Sequence, residues 1–494
     1  MYKSNSGCSG KLKVFAFYKL WWKPTGDRLE VRHCSYTCPL GSINKINMTK
    51  NIKIILSIVS LLSFLLFIGC KQKDKELSLG DKVTLAIASR KIPLPSEQKV
   101  SFTSPEWIEG RGPHSTEIFR HLENYIPTVL IEKGGMETRG LPENISNILG
   151  QEILTSTFFE KEISLDQICD KKQINGVIVL HKGEIVYERY PEMEPTDRHF
   201  LGSVSKSFIG TVIAHLADEG KLNEQDPIGK YLSEFKGRPL ENVTIENLLR
   251  MASGINCREH VKDRVSFTDP NHCFYKLLQH SAYFPEPESG FEESFMELLA
   301  NSGEYEPAGQ TYDYTSANSA ILTTIAERVS SKPFHELVQE YIWSKIGAED
   351  DARVTLSSTG VAGSYGTILM RLRDLARYGL AFTDDATNKI ASERYLAQIH
   401  TGDKELFSSE GGTGQRLWLK FFEGQGPDFQ SYHWDVVFED GDFTKFGLGG
   451  QCVYISPAKR LVIAFFSANK DETQNNMNMV YLVRSLALLE QFRN

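Results

Sequence analysis

Two stretches with the signature of β-hairpins stand near opposite ends of the foldable part of the chain. "NGVIVLHKGEIVYERY" (175–190) sets two β-rich runs around Lys182-Gly183, and "GGQCVYISPAKRLVIAFFSA" (449–468) sets two more around Ser456-Pro457-Ala458. Between them the apolar residues mostly recur at helical spacing, and "NNMNMVYLVRSLALLEQF" (475–492) reads as a closing helix. Strands at both ends of a helical interior leave few architectures open, because strand edges must find partners. The pattern predicts an α/β fold of the α+β type: an antiparallel sheet built from N- and C-terminal strands, flanked by helices, beside a helical subdomain.

The N-terminal part has a different character. Residues 48–70, "MTKNIKIILSIVSLLSFLLFIGC", carry early lysines, an apolar or serine-containing run from Ile54 to Ile68, and a Gly69-Cys70 ending. That run is short for a membrane span and suits the apolar region of a secretory signal. Its end resembles a bacterial lipobox, in which the cysteine is lipidated and becomes the new N-terminus, although Phe67 stands where leucine is usual. The expected organisation is a leader over 1–47 that precedes the true start at Met48, a lipoprotein signal peptide over 48–70, a polar tether over 71–97 and a folded domain over 98–494. The chain is thus expected to be an exported bacterial lipoprotein, held to a membrane through lipid on Cys70. A single anchor helix with a cytoplasmic leader is the competing reading.

Charge narrows the partners. A formal net charge of −8 over 494 residues, without any Lys/Arg block, leaves no nucleic-acid footprint. Cys169, Cys257, Cys273 and Cys452 fit no zinc spacing. In an exported protein Cys257 and Cys273 could close a disulfide loop. Free cysteines are so often core residues that unpaired buried thiols are the expectation.

Chemistry enters with "LGSVSKSFIG" (201–210), where Ser203 precedes Lys206 by three positions at the mouth of a helical pattern, Phe208, Ile209, Val212, Ile213 and Leu216. Residues three apart share a helix face, and the positive end of the helix dipole lies beneath them. Burial and that dipole both disfavour an ammonium, so a neutral Lys206 could take the Ser203 proton. On the motif alone, Ser203 could equally be an N-cap and Lys206 a solvated first-turn residue.

The wider context resolves that choice. "LGSVSKSFIGTVIAHLADEGKLNEQDPIGKYL", "VTIENLLRMASGI", "EPAGQTYDYTSANSAIL" and "GVAGSYGTILMRLRDLARYGL" occur in the order found in the serine β-lactamase-related family. Together they resemble that family of class C β-lactamases, DD-peptidases, esterases and 6-aminohexanoate-oligomer hydrolases. The segments from "SPEWIEGRGPHSTEIFRHLENYIPTV" through "HKGEIVYERY" are most similar to the last branch. The resemblance implies a β-lactamase/transpeptidase-like fold and a serine hydrolase acting on a small-molecule amide or ester, with no metal or cofactor.

It also implies roles for particular residues. Ser203 is the nucleophile, Lys206 its base and Tyr314 the proton relay, with Tyr312 as the competing tyrosine. The family's Y-x-N reads Tyr314-Thr315-Ser316, so Ser316 or Asn318 could hold the lysine or the substrate carbonyl. In "KFGLGGQ", Lys445 and Gly447 fall in the K-T-G frame, and the Leu448 N–H would join that of Ser203 around the oxyanion. Phe446 replaces the usual threonine, which makes the cleft greasier and weakens the case for β-lactam carboxylate recognition. Lys445 could otherwise be a solvated strand-end charge. The stretch from Gly254 to Gly303, with Trp418 and Trp434, is expected to shape specificity.

Other readings are weaker. Ala362-Gly363-Ser364-Tyr365-Gly366 nearly spells a nucleophile elbow, with His400 or His433 as base. His199 reads as a packed or surface histidine. A penicillin-binding DD-peptidase or β-lactamase is the alternative within the fold. The alternative of another class is a catalytically silent ligand-binding lipoprotein on the same scaffold.

Overall fold

The central sheet is assembled from both ends of the domain. It is seen in a computed structural model that describes residues 115–493, apart from 158–161, 173, 263–264, 285, 288 and 469–477. The leader, export-signal and tether readings, with Cys70, lie outside those residues. Strand β1 (Thr128–Ile131) is followed by the first hairpin, β2 (Gly176–His181) and β3 (Glu184–Arg189), and by β4 (His199–Phe200). Lys182 and Gly183 both take positive φ, +55° and +80°, the left-handed turn that a two-residue hairpin requires. Helices α1 (Ser205–Asp218), α2 (Cys273–His280), α3 (Phe295–Asn301) and α4 (Ser316–Ser330) come next. After β5 (Ala352–Thr355), β6 (Ile368–Met370) and α5 (Leu372–Leu380), the C-terminal strands are β7 (Pro427–Ser431), β8 (Trp434–Phe438), β9 (Phe443–Gly447), β10 (Gln451–Ser456) and β11 (Leu461–Phe466). Helix α6 (Asn478–Ala487) closes the chain.

The seven-stranded sheet runs β3-β2-β11-β10-β9-β8-β7, antiparallel throughout. Its β2–β11 pairing joins the two hairpins, from Phe466↔Gly176 to Leu461↔His181. A four-stranded antiparallel sheet, β1-β5-β6-β4, stands beside it. Every residue of β10 and β11 is buried, because helices cover both faces. On one face α5 lies flush: a Cβ on Gly379 would sit 2.6 Å from Val462 Cγ1. On the other, Arg484 of α6 donates to the Tyr454 hydroxyl at 2.6 Å, and alternation along β10 puts Tyr454 opposite Val453. Helix α1 is almost wholly buried, and its buried Ser207 and Thr211 hydroxyls donate to the Val204 and Ser207 carbonyls.

The cysteines correct an expectation. Cys257 and Cys273 are disulfide-bonded, with Cα atoms 5.1 Å apart, within bridging range. The intervening chain folds back on itself, with Ser266 Oγ donating to the Glu259 carbonyl at 2.6 Å, and this returns the first residue of α2 to Cys257. Cys169 and Cys452 are free and buried, as the frequency argument had it for all four. A loop of this length predicts that Cys273→Ser lowers stability to urea by about 3 kcal/mol; an unchanged unfolding midpoint would contradict a native bridge.

Candidate active site

Ser203 sits in a single 3₁₀ turn, Gly202–Val204, that feeds directly into α1. Gly202 makes that turn possible. Its φ is +54°, and a Cβ there would stand 2.6 Å from the Leu448 nitrogen, so only glycine lets the end of β9 approach. Gly447 is equally constrained, since its Cβ would meet the Leu201 carbonyl at 2.2 Å. These two contacts put the Leu448 N–H beside the Ser203 turn, where two backbone donors can face one oxygen. Leu448 itself is 39% exposed, at the mouth of the site.

Lys206, one residue into α1, is 1% exposed. Its Nζ lies 2.9 Å from Ser203 Oγ and donates to the Tyr365 carbonyl at 2.8 Å. No carboxylate touches it. Burial pulls its pKa down to about 7, with the nearby Lys445 charge adding to the fall and Glu259 and Asp435 opposing it. An amine that loses its proton near neutral pH, at hydrogen-bond distance from a serine hydroxyl, is a competent general base.

Tyr314 lies on the other side of Ser203. The Lys206 and Lys445 side-chain nitrogens stand 5.1 Å and 4.7 Å from its ring centroid. Lys445 Nζ donates to its hydroxyl at 3.3 Å, and Ser203 is a hydrogen-bonding neighbour of the phenol. Burial, with the charges of Asp435 and Glu259, holds the phenol well above its usual range, so it stays protonated. Tyr312, the competing tyrosine, is turned away; its hydroxyl accepts from Trp418 Nε1 at 3.1 Å.

Several expected roles are reassigned. Lys445 is no solvated strand end: it is fully buried and forms a close ion pair with Asp435. Ser316 turns to Glu259, donating from N at 3.0 Å and Oγ at 2.7 Å, and does not hold Lys206. Asn318 is buried among Ser253 and Met251, two residues further along α4 and off the site. Phe446 alternates to the face opposite Lys445 and stacks on Trp418 at 5.4 Å and Phe422 at 5.8 Å, so it does not grease the cleft beside Lys445. Trp418 backs Tyr312, whereas Trp434 is a core residue against Phe382 and Phe443. Ser364 is 1% exposed and bonded to Thr323 at 2.7 Å, which rules it out as an exposed nucleophile. His400 and His433 are bonded elsewhere, and His199 is stacked on Phe466 at 4.6 Å.

Glu259, Asp435 and the Tyr365 carbonyl were not found from sequence. Asp435 left a trace, as a lone carboxylate inside the apolar strand "WDVVF". Glu259 comes from the Gly254–Gly303 stretch, which does border the site, and His260 beside it has its ring 5.9 Å from that of Tyr314.

Comparison with known proteins identifies the family. The family model described as Beta-lactamase matches residues 165–488. The chain belongs to the beta-lactamase family. Its closely similar relatives include 6-aminohexanoate-dimer hydrolase of Paenarthrobacter ureafaciens, 27% identical over 75% of this chain and 88% of that protein. A solved structure named "Putative 6-aminohexanoate-dimer hydrolase from Bacillus anthracis" superposes with a TM-score of 0.67 over 81% of this chain and 100% of that one. At 21% identity that structural likeness speaks for the fold alone. As a family member the chain is an enzyme of the serine-hydrolase type, and it resembles the 6-aminohexanoate-dimer hydrolase branch.

The lowered pKa of Lys206 sets a pH dependence. With the neutral amine as the base, kcat/KM for a neutral ester should rise through about pH 7 and level off above it. Glu259 raises the Lys206 pKa, so Glu259→Gln should move that rise to lower pH. A rise near pH 10, or an upward shift in the variant, would contradict this assignment.

Proposed function

We propose that the protein hydrolyses an amide or ester through an acyl-enzyme on Ser203 of the S-x-x-K motif. The observation that carries this reading is the buried Lys206 amine 2.9 Å from Ser203 Oγ, with no carboxylate in contact with it among the described residues. Ser203 Oγ bonds to the substrate carbonyl carbon as its proton passes to Lys206. The Ser203 and Leu448 N–H groups receive the oxyanion. The bond to the leaving amine or alcohol then breaks as Tyr314 gives that group a proton and regains one from Lys206. Water attacks the ester so formed, returns the proton to Ser203 and releases the carboxylic acid. The first proton transfer uses groups already in hydrogen-bond contact, Ser203 Oγ and Lys206 Nζ at 2.9 Å, and Tyr314 stands beside both.

The placement of Lys445 bears on the substrate. Its ammonium is committed to Asp435 and Tyr314, which leaves it unavailable to a substrate carboxylate. That favours acyl groups without a carboxylate beside the scissile bond over penicillins. The name of the Paenarthrobacter ureafaciens relative, 6-aminohexanoate-dimer hydrolase, points to linear amides as the first substrates to try. Export as a lipoprotein anchored through Cys70 belongs to the same proposal. It is supported by the 48–70 stretch and by a disulfide of the kind found in oxidising compartments.

Intact mass of residues 71–494 after exposure to a fluorophosphonate, p-nitrophenyl butyrate and a penicillin tests the reading. One adduct with the first two reagents, absent in Ser203→Ala, is expected, with little or none from penicillin at equal concentration. Ser203→Ala should also lower turnover by at least about 10⁴-fold. Folded protein that forms no adduct with any reagent would instead favour a silent binding protein.

A further inference from the structure

Asp435 takes part in the site, yet it is too deeply buried to meet a substrate. Strands β8 and β9 pair with Val436 opposite Thr444, which sets Asp435 opposite Lys445, one step along the ladder. Both side chains are buried, so neither charge has water. Asp435 spends both carboxylate oxygens inside the protein: one contacts Lys445 Nζ, and the other accepts the Phe446 N–H at 3.0 Å. Burial pulls the Lys445 pKa down, and contact with Asp435 is what pulls it back towards the ammonium.

The charge state of Lys445 decides what Tyr314 can do. An ammonium has donors and no acceptor. Its 3.3 Å contact with the Tyr314 hydroxyl therefore occupies a lone pair of the phenol oxygen and leaves the phenolic proton free to point elsewhere. Ser203 is a second hydrogen-bonding neighbour of that oxygen among the described residues. A neutral Lys445 could accept the phenolic proton and turn it away from the reaction. We propose that Asp435 is a positioning residue: by holding Lys445 as an ammonium, it aims the Tyr314 proton at Ser203 and the leaving group. This rests on the reading of Tyr314 as proton relay and assigns to Asp435 a role that the motif residues alone do not carry.

The test is a set of variants assayed with p-nitrophenyl butyrate. Asp435→Asn should lower kcat by roughly 10- to 100-fold, part of what proton transfer contributes, while KM changes less than about twofold. In a Tyr314→Phe background the same substitution should cost less than about twofold, because the group it positions is gone. An equal loss in both backgrounds would show a structural effect and overturn the proposal, as would wild-type kcat in Asp435→Asn. Should Asp435→Asn not fold, Lys445→Met is compared with Lys445→Met/Asp435→Asn, in which no buried charge is left unpaired. Equal rates support the proposal, and a further loss in the double variant overturns it. The Ser203→Ala adduct test is unaffected by these outcomes. Full activity of Tyr314→Phe would remove the relay reading, and the role of Asp435 with it.

Discussion

Two lysines with almost no exposed surface, Lys206 and Lys445, flank the Tyr314 ring, and their partners differ in kind. Lys445 meets a carboxylate, Asp435, whereas Lys206 meets a hydroxyl and a carbonyl oxygen. Burial penalises both ammonium ions, but only one is offset by a contacting anion. That asymmetry separates a base from a fixed cation within a few ångströms of one phenol. Sequence position gives the two residues a similar look, and environment gives them opposite duties.

The fold serves this arrangement by bringing distant backbone segments within contact of Ser203. The 3₁₀ turn at Gly202 abuts the end of β9 because glycines at 202 and 447 remove the Cβ atoms that would collide. The segment before β6 supplies the Tyr365 carbonyl that steadies Lys206. On the far side, the Cys257–Cys273 bridge pins the chain that carries Glu259. Thr315, next to Tyr314, donates to the Cys257 carbonyl at 2.6 Å, and Arg258 meets Asp313 at 2.6 Å. The loop that borders the cleft is thereby tied to both sides of Tyr314.

Much of this was legible in the sequence, and for physical reasons. The two hairpins announce themselves through β-rich runs and turn residues, which are local signals, and their pairing into one antiparallel sheet follows from their positions. Ser203 and Lys206 are neighbours on one face, so spacing alone relates them. What was missed is long-range or buried in alternation. Neither the 257–273 bridge nor Glu259 has any local signature. Asp435 meets Lys445 across a strand pair whose register the sequence does not reveal. Phe446 and Trp434 look like cleft aromatics until strand alternation sends one to the other face and the core takes the other. Asn318 fails in the same way, since in α4 it lies on a face turned to Ser253 and Met251.

The central claim is that burial and uncharged contacts bring the Lys206 ammonium to lose its proton near physiological pH. Its state can be read directly by ¹³C and ¹⁵N NMR of the lysine side chains in the folded chain, with the Lys206 signal assigned by its loss in Lys206→Met. A titration midpoint near pH 7 is the expected result. A Lys206 that stays charged to about pH 10, as a solvated lysine does, would contradict the account.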